Sequence, residues 1–191
     1  MGNATLPVAR WRYPERMKKI VLDIETTGLY AESGDRIVEI ACLELIDGRR
    51  TANTYYVRIN PECPVSAGAA TVHGMTWGSL QHEPVFAAIA RSLYAFIAGS
   101  ELIMHNAPFR LSFLKAEFSR LGMPPPAKIC VLTDTLVLAR TLHPDEVNNL
   151  DSLCSRYGLV EVESIAPDIV HNLERLAEVY LAMVDRHIPN R

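Results

Sequence analysis

The sequence lacks four things: a surplus of positive charge, closely spaced cysteines, a long apolar run and an internal repeat. Its formal net charge is −3 over 191 residues. No broad basic field therefore exists to hold long duplexes, which argues against a nucleic-acid coat protein. An enzyme or module that grips a few nucleotides at one end remains open. The four cysteines, Cys42, Cys63, Cys130 and Cys154, are scattered with no C-x-x-C pair. They read as reduced thiols, and the expected location is the cytoplasm. No apolar run reaches membrane-spanning length, so no membrane partner is expected. The N-terminus has no apolar signal core, and Met-Gly-Asn-Ala-Thr-Leu lacks the serine or threonine that myristoylation wants at its sixth position. What is present, 49% hydrophobic and 21% charged residues, suits one α/β domain whose core needs no staples.

The chain is organised around Lys18 to Leu29. Ile20, Val21 and Leu22 form a short apolar run of buried-strand type, and Asp23 and Glu25 then interrupt it. Residues two apart on a strand face the same way, with Cα atoms about 6.5–7 Å apart. Two acids so placed repel one another and resist desolvation. A cation relieves both problems, either a divalent metal or a basic side chain. Thr26, Thr27 and Gly28 follow with hydroxyls, backbone N–H groups and a turn residue.

Residues 1–17, with three arginines, two prolines and no period, are expected to form an extended arm, and residues 18–187 one domain. Beyond the first strand, Arg36–Leu45 reads as a strand, Asp47-Gly48 as a hairpin turn, and Thr54–Ile59 as the returning strand. Pro61 and Pro64 open an irregular stretch that leads to Val72-His73-Gly74-Met75. A helix is predicted from Glu83-Pro84 to Gly99 on its apolar stripe Phe86, Ile89, Leu93 and Phe96-Ile97. Glu101–His105 reads as a fourth strand. Asn106 is placed to cap the next helix, which has Pro108 in its first turn. Ile129–Leu132 reads as a fifth strand, followed by helices near 134–142 and 149–157 and a last one starting near Pro167. Strands followed by alternating helix and strand suit one mixed α/β sheet.

At Asp23-Ile24-Glu25-Thr26-Thr27-Gly28 the chain resembles the DEDD (DnaQ-like) 3′–5′ exonucleases, and within them the epsilon proofreading subunits of bacterial DNA polymerase III. Val72-His73-Gly74-Met75, His105-Asn106-Ala107-Pro108-Phe109, Asn149–Tyr157 and Leu176–Met183 carry the resemblance along the rest of the chain. It implies a ribonuclease H-like mixed sheet flanked by helices, and two-metal hydrolysis of a nucleic-acid 3′ end. It also implies metal-ligating roles for Asp23 and Glu25. Thr26, Thr27, Gly28, His73, His105, Asn106 and Phe109 are implied as contacts to the terminal nucleotide.

Three positions depart from the family. Arg110 stands where an aspartate follows the second motif, Pro167 where the general-base histidine falls, and Asn172 where the last metal-binding aspartate falls. Two ions need several anionic ligands to offset their repulsion, and proline accepts no proton. The expectation is therefore an impaired exonuclease that binds a single-stranded 3′ end weakly, or a protein partner, with no tightly held cofactor. The alternative is an active enzyme using magnesium or manganese at a rearranged site. Asp168 and His171 are its candidate substitutes, although a first-turn helix acid and a solvated helix face already account for them. Arg110 is expected to take the metal's place as counter-ion of Asp23 or Glu25. The family's polymerase tether lies in a C-terminal extension, and this chain ends soon after the closing helix, so a polymerase partner is not expected.

Overall fold

The computed structural model describes residues 18–159 and 168–185. The expected arm, Pro167 and the last two residues of the expected domain lie outside them. A five-stranded sheet is built from β1 (Lys19–Thr26), β2 (Ile37–Ile46), β3 (Arg49–Arg58), β4 (Glu101–Met104) and β5 (Val131–Asp134). Its order is β3-β2-β1-β4-β5. β1 runs antiparallel to β2 and parallel to β4, which is parallel to β5. The helices are α1 (Ala67–His73), α2 (Trp77–Leu80), α3 (Phe86–Ile97), α4 (Ala107–Arg120), α5 (Thr135–Leu142), α6 (Leu150–Tyr157) and α7 (Asp168–Asp185). This is the expected mixed sheet with helices on both faces.

The period of two along β1 assigns its side chains to two cores. Ile20, Leu22 and Ile24 pack on one face with Phe86, Leu93 and Ile97 of α3 and with Phe113, Leu114 and Phe118 of α4. Val21 faces the other way, with Ala41, Leu43 and Ile103, against Ile169, Leu173, Leu176 and Tyr180 of α7. Burying each of these large side chains stabilises by about 1.5–3 kcal/mol, and truncating Leu176 to Ala is expected to cost about 2–5 kcal/mol. Asp23 and Glu25 continue the line begun by Val21, so the α7-side core stops where the acids start.

The far end of α4 is fastened by charge. Arg36, just before β2, donates from Nε and Nη2 to the two carboxylate oxygens of Glu117 at 2.7 and 3.0 Å. Arg120 lies 3.2 Å from the same carboxylate. The Glu117 side chain is only 2% exposed, and a bidentate guanidinium is what allows a carboxylate to be buried this deeply.

Several boundaries differ from expectation. β3 begins at Arg49 rather than Thr54, because Asp47 and Gly48 both take positive φ, 51° and 72°, and turn the chain back at once. The stretch after Pro64 contains a helix, α1, whose Ser66 cap accepts from Ala69 N at 3.2 Å. α3 starts at Phe86, after Pro84, and β5 lies two residues further on than expected. No described helix is long and apolar enough to cross a membrane.

Candidate functional site

Asp23 and Glu25 sit at the C-terminal end of β1, beside the first turn of α4. Arg110, in that turn, donates from Nε to Asp23 Oδ1 at 2.6 Å. Its Nη1 donates to the carbonyl of His105. The expected ion pair is present, with Asp23 as the partner, and both side chains are mostly buried. A cation in a helix's first turn opposes the macrodipole. Asp134, at the end of β5, offsets this: its carboxylate accepts from Asn106 N at 3.0 Å and from Ala107 N at 3.1 Å. The same carboxylate caps α5 through Leu136 N at 2.9 Å. Asn106 therefore does not cap α4 with its side chain, contrary to expectation. It holds the cap position at φ 58°, and an acid from the neighbouring strand accepts in its place.

Glu25 is flanked differently. Strand register sets Glu25 opposite Glu39 of β2, and Glu39 opposite Arg58 of β3, so the three lie in one row across the sheet. Arg58 Nε donates to Glu39 Oε1 at 3.2 Å, and the Tyr56 hydroxyl donates to the same oxygen at 2.6 Å. Burial, reinforced by the charges of Asp23 and Glu39, pushes the Glu25 carboxyl up to about 7. Arg110 works against that shift, and Asp168 adds to it.

Two adjoining cavities share Glu25, Val72 and His73. The polar one, about 410 Å³, is also lined by Glu39, Arg58, Asp168, His171 and Asn172. The apolar one, about 430 Å³, is lined by Thr26, Gly28, Leu29, Phe109 and Arg110 among others. His171, half-buried at the start of α7, borders the same cavity as Asn172. Sequence reasoning missed Glu39 and Arg58, which read only as strand residues.

The remaining expected contacts divide. His73 accepts from Met75 N through Nδ1 at 3.1 Å, so its proton is on Nε2, which donates to Thr26 O at 3.2 Å. Ser66 N donates to Thr27 O at 2.9 Å. Helix α1 is therefore hung by both ends from consecutive carbonyls of the β1 terminus. Thr27 is fully buried, and its hydroxyl donates to Asp35 Oδ1 at 2.8 Å. It shapes the turn and lines neither cavity. Gly28 is required for close approach rather than for an unusual φ, since a Cβ there would collide with the Asp35 carboxylate. His105 pairs through Nδ1 with Thr135 Oγ1 at 2.9 Å. Burial, then the charge of Arg110, lowers its pKa.

Comparisons with known proteins bear on the family and the fold. Residues 20–174 match the protein family described as Exonuclease. The DNA polymerase III subunit epsilon of Pasteurella multocida is 39% identical over 171 residues, covering 87% of this chain and 68% of that protein. Among solved structures, exonuclease X in complex with 5′-overhanging duplex DNA superposes with a TM-score of 0.70 at 22% identity, covering 87% of this chain and 91% of the other. A zinc-bound Escherichia coli exonuclease I–single-stranded DNA complex gives 0.73 at 18% identity, covering 90% and 41%.

Proposed function

The chain belongs to the DnaQ-like exonuclease family, and from that premise we propose that it is a binding module for a single-stranded nucleic-acid 3′ end with impaired hydrolysis. The observation that carries this reading is the Arg110 Nε to Asp23 Oδ1 contact of 2.6 Å. A guanidinium holds a fixed positive charge on one of the two acids that a metal pair would need. Glu25, raised to about 7, would have to release a proton near neutrality before it could serve as a ligand. Among the described residues, no group of three or more His, Cys, Asp or Glu side chains is arranged to hold an ion. This donor set does not fit two divalent cations.

The remaining parts of the site suit binding. Leu29, Phe109 and the His73 ring offer apolar contact to a base or sugar in the cavity beside Arg110. Both ring nitrogens of His73 already have backbone partners, so its part is steric. Asn172 brings a neutral amide to the polar cavity, which neither ligates a cation strongly nor accepts a proton.

The purified protein is expected to leave labelled single-stranded DNA and RNA intact with magnesium or manganese. Restoring Arg110→Asp, Pro167→His and Asn172→Asp together is expected to give detectable trimming. Robust trimming by the unmodified protein, abolished by Asp23→Ala, overturns the proposal. That result would favour an active enzyme with a rearranged site, for which the placement of Asp168 and His171 beside Glu25 speaks. Asp168→Ala would then remove the activity as well.

A further inference from the structure

Arg58 has no counterpart in the sequence reading, yet it stands at the far wall of the polar cavity, across Glu39 from Glu25. Adjacent strands are about 4.8 Å apart, so its Cα lies on the order of 10 Å from that of Glu25. Arg110 lies on the other side of Glu25, in the apolar cavity. The two arginines are engaged alike. Each directs Nε to a carboxylate of the sheet, Asp23 for Arg110 and Glu39 for Arg58. A guanidinium carries five N–H donors, so neither is exhausted by that contact. Arg110 also gives Nη1 to His105 O, and its Nη2 has no partner among the described residues. Arg58 is half-exposed. Two acids of the cleft are thus offset before any ligand arrives, while guanidinium donors remain at both ends.

Building on the 3′-end reading above, we propose that Arg110 and Arg58 are two separate phosphate contacts, one on each side of Glu25, that hold successive phosphates of a single strand without metal. A terminal nucleotide in the apolar cavity brings its own phosphate to Arg110. The strand then runs over Glu25 into the polar cavity, where the next phosphate meets Arg58. One phosphate is too small to span both arginines.

The test uses a thymidine dinucleotide, with one phosphate, and a trinucleotide, with two, each carrying a neutral 5′ fluorophore. Anisotropy titrations run in EDTA from about 50 to 200 mM sodium chloride. Each single-strand phosphate contact contributes about −0.7 to the slope of log K against log salt. The parent is expected to show about twice the slope on the trinucleotide that it shows on the dinucleotide. Arg58→Ala is expected to bring the trinucleotide slope down to the dinucleotide value with about a five- to tenfold loss of affinity, and to leave the dinucleotide unchanged. Arg58→Lys keeps the slope, and Arg50→Ala, which removes an arginine paired with Glu174 outside the cleft, changes nothing. If Arg58→Ala fails to fold, Arg58→Ala combined with Glu39→Gln leaves no unpaired buried acid and reads the same slope. Binding by the parent with identical slopes in parent and Arg58→Ala overturns this inference and leaves the 3′-end reading standing. No binding of either oligonucleotide by the parent overturns both.

Discussion

Helix α4 carries an arginine–carboxylate pair at each end, and the two are built for different ends. Both oppose the helix dipole, since Glu117 lies in the last turn and Arg110 in the first. At Glu117 the opposition is fully answered: Arg36 engages both oxygens, Arg120 adds a second cation, and the carboxylate itself is buried. At Arg110 the answer is partial. One nitrogen meets Asp23, another a backbone carbonyl, and Asp134 supplies a carboxylate at the helix start. The first pair is a closed structural fastening. The second borders the apolar cavity through Arg110 and keeps donors in reserve, which is the difference between a group that holds the fold and one that can meet a ligand.

The largest effect that would sharpen this contrast is expected at the closed pair. Arg36→Ala takes the bidentate partner from the buried Glu117 and leaves it only the more exposed Arg120, which should cost about 3 kcal/mol, read as a lower urea midpoint at unchanged m. A loss under about 1 kcal/mol would put the two pairs in one class. Next comes Arg110→Asp, which sets a third acid beside Asp23 and Glu25 and should cost about 2–3 kcal/mol without metal. Manganese at a hundredfold excess over Kd should then restore about 2.7 kcal/mol in the variant, seen as a rise in Tm. The parent should show no such rise, and a rise in the parent would break the comparison.

Glu25 comes third. Its folded pKa of about 7 lies above the ordinary value of 4.5, so the folded state holds a proton that the unfolded state has released. Its contribution is fully present below pH 4.5 and is lost as pH rises through 7. Allowing for partial exposure, the loss is about 2 kcal/mol. Glu25→Gln should remove that slope, and at pH about 8 it should be the more stable protein in denaturant titrations. A parallel pH profile for parent and variant would show that the cleft does not strain this acid. The smallest effect is expected from Arg110→Lys, under about 1 kcal/mol, because charge is kept and only the fork is lost. Calorimetry decides it.

The sequence shows the acids and the arginine for physical reasons. A strand's period of two puts Asp23 and Glu25 on one face, and a cation in a helix's first turn asks for a counter-ion, which Asp23 provides. Arg58 was hidden by register. Counting back from the Asp47-Gly48 turn pairs Glu39 with Tyr56, but an irregularity between Leu43 and Leu45 moves the partner on to Arg58. Prolines and Gly68 mask α1, whose place depends on the carbonyls of Thr26 and Thr27, far earlier in the chain. Asn106 has the composition of a cap, and only the approach of β5 shows that Asp134 holds that role. Local pattern reveals faces; contacts that depend on a bulge or on a neighbouring strand do not.

Asp134 also bears on the order in which the molecule is made. As the chain is synthesised, α4 emerges before the carboxylate that completes its start, which follows Asn106 by 28 positions. Until β5 docks on β4, the first N–H groups of α4 have no acceptor from the sheet, and the turn carrying Arg110 has no fixed beginning. The polar cavity waits longer still, since Asp168 and Asn172 arrive with α7, the last helix of the described residues. The cleft is thus completed, among the described residues, only when α7 has been synthesised, well after the β1–β2–β3 hairpins. Asp134→Ala should accordingly slow refolding as well as lower stability.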